Sequence, residues 1–229
     1  MSFQALQRHR RFLLPSATIS GVNPTGWWKF NDGSGTTVSD SSGNGYNGTL
    51  SGTPTWHTGY VTLNGQWANC GTSVPVYSNQ ITMMMWMQLA SYSGNYPGIM
   101  GAGGVSSTYS GILFWVVPAG NIIFSIYSST ASVSITSPSS ILSSLWTHFA
   151  GVIDIERKSM IFYINGAPVG NVDPSVILSW NSGYNFVFNS RFDGGYNNYA
   201  SGLSLDDARV YNTAFTDDMI SYIYNAGRI

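Results

Sequence analysis

Carboxylates, histidines and serines are the residues with which this chain could do chemistry, and their spacing argues against catalysis. Cleaving a glycosidic bond takes two carboxyl groups flanking it, one as acid and one as nucleophile or base. The chain has a single glutamate, Glu156. It stands beside Arg157 and Lys158 in a polar stretch that reads as a solvated turn. Asp206 and Asp207 are adjacent in a β-type run, so strand alternation directs them to opposite faces, where they cannot work as a pair. Asp217 and Asp218 are explained by the start of a helix. His9, His57 and His148 make no nucleophilic triad with a serine and an acid, and no Gly-x-Ser-x-Gly elbow occurs. His148 alternates with Trp146 and Ala150 and reads as a structural residue. The lone Cys70 cannot close an intramolecular disulfide, and no Cys/His spacing resembles a zinc site. The expectation is a protein that is not an enzyme.

Binding chemistry is better represented. Trp180, Tyr184, Tyr196 and Tyr199 fall in stretches rich in Gly, Ser and Asn, a mixture that combines flat aromatic contact with adaptable hydrogen bonding. Sugar rings could stack there, with Asp193 and Asn197 addressing hydroxyls. The same aromatics serve subunit packing or loop anchoring equally well.

These residues need a frame, and the sequence reads as an all-β one. From Gly26 onward, short alternating or β-branched runs recur between Gly, Asn, Ser and Pro clusters, the signature of a sandwich or barrel. Ile81 to Leu89 is the clearest strand, and both its faces are apolar, which places it centrally. Further strands are expected at 111–117, 121–127, 132–136, 146–154, 160–164, 186–189 and 203–211. Asn165-Gly166 favours the positive φ of a tight hairpin. Only the C-terminal stretch reads as helical, with Thr216 as cap, Asp217 and Asp218 in the first turn, and Gly227 as the stop. Charged residues are only 8% of the chain and the formal net charge is −1, so no electrostatic footprint for nucleic acid is present. No apolar run approaches the length of a membrane span.

Four stretches, in order, resemble the laminin G-like jelly roll of the concanavalin A-like lectin/glucanase superfamily. They are the opening Trp27 to Leu50, the strand Ile81 to Met87, the pair Trp146 to Val152 and Phe162 to Gly166, and the closing Leu205 to Asn212. The resemblance covers roughly residues 26–225. It implies an antiparallel two-sheet β-sandwich, a concanavalin A-like jelly roll, with a short C-terminal helix. Calcium is the cofactor it implies, with Asp32, Asn44 and Asn47 of the opening loop meeting Asp206 at one edge. The bland alternative is that Asp32 and Asn44 shape turns and Asp206 accepts hydrogen bonds.

Residues 1–25 read as an extended N-terminal arm before a jelly-roll domain at 26–229. Basic residues Arg8, Arg10 and Arg11 run into Phe12, Leu13 and Pro15 without a signal-peptide core. Phe3, Leu6, Phe12 and Leu13 could lie in a neighbouring subunit's grooves while the three arginines pair with its rim. The expected function is therefore a non-catalytic virion-surface component, of capsid-decoration or fibre type, displayed through the arm in a homo-oligomer or larger assembly. The alternative is a carbohydrate-binding, lectin-like module of an extracellular protein.

Overall fold

The computed structural model describes residues 18–92, 96–104, 110–177, 183–192, 195–197 and 199–229. In chain order the strands are β1 (Gly26–Trp28), β2 (Thr37–Val38), β3 (Gly48–Leu50), β4 (Thr55–His57), β5 (Tyr60–Asn64), β6 (Ala68–Asn69), β7 (Gln80–Leu89), β8 (Gly98–Ala102) and β9 (Gly111–Val116). They continue with β10 (Ile122–Tyr127), β11 (Ser132–Thr136), β12 (Ser143–Asp154), β13 (Ser159–Ile164), β14 (Ala167–Val172), β15 (Phe186–Phe188), β16 (Arg191–Phe192), β17 (Tyr196–Asn197) and β18 (Ser201–Tyr211), before helix α1 (Asp217–Ala226). Two antiparallel eight-stranded sheets form the sandwich. The first runs β14-β13-β12-β7-β18-β5-β4, with β1 also paired to β18, and the second runs β11-β10-β9-β8-β15-β6-β3-β2. The chain is thus the two-sheet jelly roll that its motifs resemble.

Strand β7 lies between β12 and β18, which explains why both of its faces are apolar. Ile81, Met83, Met85, Met87 and Leu89 enter the main core between the sheets, while Met84 belongs to a second cluster on the outside of the first sheet. Aromatic rings fill the main core, with Trp28 stacked 5.3 Å from Phe186 and Phe114 4.7 Å from Phe124. Gly151 of β12 supplies the space they need: a Cβ there would lie 2.4 Å from Phe124 Cζ. The second cluster joins Met84, Ala150, Val152, Tyr163 and Tyr211 to Phe215, Ile220 and Ile223, so the amphipathic α1 covers this part of the outer face. Thr216 caps the helix by accepting the Met219 N–H, and Gly227 ends it at φ 82°. Ile19 and Val22 also pack on this cluster, so packing on the domain extends back to Ile19, before β1.

One local expectation is overturned. Alternation should send Asp206 and Asp207 to opposite faces, but Asp207 has φ 47° and the register of β18 against β7 shifts between Asp206 and Arg209. This bulge inserts a residue, so both carboxylates come to the outer face, where Asp207 grips Arg209. The Asn165-Gly166 hairpin forms as expected, with φ 51° and 78° at its two central residues.

Candidate functional site

Beyond the part covered by α1, the outer face of the first sheet changes character. Register places Asp206 of β18 opposite Trp86 of β7, and Trp86 opposite His148 of β12. The three form a buried row across adjacent strands. Trp86 Nε1, His148 Nδ1 and both Asp206 carboxyl oxygens have no hydrogen-bond partner. Tyr224 of α1 closes over the row, its ring stacked 5.6 Å from Trp86. Burial pushes Asp206 up to about 8, with Arg228 opposing the rise and the Asp207 carboxylate adding to it. Burial, helped by the charge of Arg209, drives His148 down to about 3, so its imidazole is neutral.

Beside this row a chain of aromatic rings leads outward. The Arg228 guanidinium lies 3.7 Å from the Trp146 ring centroid and 5.6 Å from that of Tyr60, with its Nε 3.5 Å from Asp206 Oδ2. Tyr60 meets Trp146 edge to face at 5.2 Å, and His57 stacks on Tyr60 at 4.2 Å. His57 is held by a 3.1 Å hydrogen bond between its Nε2 and Thr62 Oγ1, which in turn bonds Ser204 at 2.9 Å. The tight β4–β5 hairpin, turned by Thr58 and by Gly59 at φ 83°, projects these rings.

The aromatic chain ends in an open cleft of about 730 Å³ lined by Asn31, Gly33, Trp56, His57, Thr58, Gly59 and Ile229. Trp56 is half-buried, and its indole N–H donates to the Gly35 carbonyl at 2.9 Å, which fixes the ring without covering it. The cleft therefore offers a rigid aromatic surface, an imidazole, an amide and turn backbone within one concavity. That is the equipment of a polar-ligand site rather than of an acid–base centre.

The residues expected to hold calcium are used separately. Asp32 accepts the Ser39 N–H, Asn47 accepts the Asp40 N–H through its side-chain oxygen, and Asn44 donates to the Thr25 carbonyl and to Ser42. Asp206 lies under Arg228 on the other side of the β18 bulge. The opening loop is organised instead by Asp40, whose carboxylate accepts the N–H groups of Trp27, Ser42 and Tyr46 and the Ser42 hydroxyl. Among the described residues, no group of three His, Cys, Asp or Glu side chains could hold a metal ion. The four expected ligands do not make one oxygen cage, and no metal chemistry is derived from them.

Of the expected aromatic binding group, Tyr184 packs against Phe192 at 4.9 Å, and Tyr199 is exposed. Tyr196 and Asn197 form β17 against β16, while Trp180 and Asp193 lie outside the described residues, as do the arm residues Phe3, Leu6, Arg8, Arg10, Arg11, Phe12 and Leu13. Glu156 is exposed in the β12–β13 turn. Trp56, Tyr60 and Arg228 were not expected at a site, and His57, read as a loop residue, ends β4 and lines the cleft. The nearest sequence signals were the Trp56-His57 pair and the alternation of Trp146 with His148.

Comparison with solved structures places this architecture among carbohydrate-associated jelly rolls. Domain 4 of an extracellular arabinanase from Geobacillus stearothermophilus, solved with arabinotriose, superposes with a TM-score of 0.67 at 19% identity over 89% of this chain and 98% of that domain. The ligand-binding domain of botulinum neurotoxin serotype D, solved with N-acetylneuraminic acid, gives 0.69 at 15% identity over 91% of this chain and 52% of that one. Trypanosoma rangeli sialidase in complex with sialic acid gives 0.69 at 12% identity, with 90% of this chain covering 33% of the enzyme. The chain thus spans about half of the neurotoxin domain and a third of the sialidase, and at these identities the likeness is one of fold. Among curated protein sequences none matches. Residues 57–221 match the laminin G-type family model of the concanavalin A-like lectin/glucanases superfamily. With that model covering most of the sandwich, and the two-sheet topology agreeing with it, the chain belongs to the laminin G-like family of the concanavalin A-like lectin/glucanase superfamily.

Proposed function

We propose that the chain is a non-catalytic, extracellular glycan-binding domain whose sugar surface is the cleft around Trp56 and His57. The observation that carries this reading is the Trp56 ring, half-exposed at the cleft and locked by its N–H to Gly35. A pyranose or furanose presents an apolar C–H face and a rim of hydroxyls. A flat indole covers the first, and Asn31, His57 and the turn backbone address the second. A ring already held in place loses little freedom on binding, which favours affinity. The sugar-bound arabinanase domain and neurotoxin domain favour the same class of ligand.

Catalysis is disfavoured by the state of the carboxyls: Asp207 is committed to Arg209 and the Trp27 indole, Asp206 is buried, and Glu156 stands alone in its turn. The reading as a virion-surface component rests on the arm, most of which lies outside the described residues, and the sugar-bound neighbours favour a binding module instead. Isothermal titration with arabino-oligosaccharides and sialylated oligosaccharides tests the proposal. Binding is expected, and Trp56→Ala should weaken it on the order of tenfold or more, the loss of one desolvated aromatic contact. Absence of binding across a broad glycan array, or full affinity in the Trp56→Ala protein, would overturn it.

A further inference from the structure

The aromatic chain that leads to the cleft contains one permanent positive charge, held in an unusual way. Arg228 has one face of its guanidinium on Trp146, a second ring beside it in Tyr60, and its Nε edge toward Asp206. Stacking on rings fixes the orientation of a guanidinium while leaving its charge intact. The side chain remains 28% exposed. Its neighbour in the chain, Ile229, lines the cleft, and His57, another lining residue, stacks on Tyr60. The charge therefore borders the concavity.

We propose that Arg228 makes this site selective for glycans bearing a carboxylate, such as uronic or sialic acid residues, over neutral ones. The inference rests on the glycan-binding reading of the cleft and names the class of sugar that it prefers. A planar, pre-oriented guanidinium matches a carboxylate better than it matches any neutral sugar group. Asp32, which sits between two lining residues, does not spoil this, because its carboxylate is turned into its own loop to accept the Ser39 N–H. Asp206 is the one acid against Arg228. It is fully buried with neither oxygen hydrogen-bonded, so at neutral pH it is a neutral acid that does not cancel the charge above it.

That arrangement couples selectivity to pH. Asp206 is faced by Arg228 from the C-terminal segment, by Asp207 and Arg209 from its own strand, and by His148 across Trp86. Tyr60 lies against Arg228 from β5 and Tyr224 against Trp86 from α1. His148 is already neutral, and Arg209 is bound to Asp207. Asp206 is therefore the group that changes charge above neutrality. Ionised, it draws the guanidinium into an ion pair, and the preference for acidic sugars falls.

The experiment compares sialyllactose with lactose, and oligogalacturonate with its methyl ester, on the intact chain. Wild type is expected to favour the acidic member of each pair on the order of tenfold at pH 7, with the preference shrinking toward pH 9. Arg228→Gln should abolish the preference and keep neutral-sugar binding. Asp206→Asn should hold the preference unchanged from pH 7 to 9, a readout that does not depend on an altered Arg228. Neutral sugars bound as tightly as acidic ones by the wild type, or a preference that survives Arg228→Gln in a folded protein, overturns the inference. Loss of all sugar binding in the wild type instead overturns the glycan-binding reading beneath it.

Discussion

Trp27 donates its indole N–H to Asp207 Oδ1 at 2.7 Å, joining positions 180 residues apart. The same carboxylate holds Arg209 through two hydrogen bonds of 2.7 Å, and the guanidinium lies 4.8 Å from the Trp27 ring centroid. All three side chains are buried. The opening and closing motifs of the family are thereby bolted together around the β18 bulge.

Removing one member should expose what the others need. Asp207→Ala leaves Arg209 as a buried charge without its carboxylate, which is expected to destabilise the fold by roughly 3–5 kcal/mol. Trp27→Phe keeps the ion pair and loses only one hydrogen bond and part of a ring, so a smaller loss of about 1–2 kcal/mol is expected. Urea denaturation of the two variants checks the order, and equal losses would contradict it.

Stability should depend on pH in a way that two buried groups set together. Asp206 has a folded-state value of about 8 against 3.8 unfolded, so the folded state holds the extra proton and its stability falls as pH rises through that window. His148 has about 3 against 6.5, so the unfolded state holds the extra proton and stability falls as pH drops through that one. Each slope is at most about 1.4 kcal/mol per pH unit, and the two oppose each other between roughly pH 4 and 6.5. A plateau is expected there, followed by a decline from about pH 6.5 to 8. Asp206→Asn should remove the decline, and His148→Gln should tilt the plateau downward with rising pH. A wild type equally stable at pH 6 and pH 8 would count against a protonated Asp206.

Gly151 offers a test of core packing. The Cβ of an alanine there would meet three ring atoms of Phe124 at 2.4–2.6 Å, and Phe124 is itself wedged between Phe114 and Phe162. Gly151→Ala should destabilise by about 1–3 kcal/mol through overpacking. Phe124→Leu in the same background should recover part of that loss, as thermal melting would show; a more severe double variant would place the strain elsewhere.

Calcium should leave the melting midpoint unchanged. Asp40 is saturated by four donors, Asp32 is bonded within its loop, and Asp206 is a neutral acid under Arg228. A metal that binds only the folded state would raise the midpoint in proportion to its affinity. Melting in calcium and in chelator decides this, and a shift of several degrees that disappears in Asp32→Ala would restore a metal site in the opening loop.

What the sequence determined by itself was whatever depends on neighbours in the chain. The alternation of Ile81 to Leu89 declared a strand buried on both faces, Asn165-Gly166 declared its hairpin, and Thr216 and Gly227 declared the ends of α1. Each of these is a matter of period, turn dihedrals or capping, properties carried by a few consecutive residues. The tertiary structure decided the rest. Local alternation assigned Asp206 and Asp207 to opposite faces, and only the pairing of β18 with two neighbours at shifted register revealed the bulge that unites them. The cleft likewise draws Asn31, Trp56, His57 and Ile229 from distant positions, and Arg228 reaches Trp146 across 82 residues because α1 folds its end back over the first sheet. Register and desolvation are collective properties of the folded sheets. No window of the chain encodes them, which is why a buried neutral carboxylic acid and an arginine stacked above it could not be read from the letters alone.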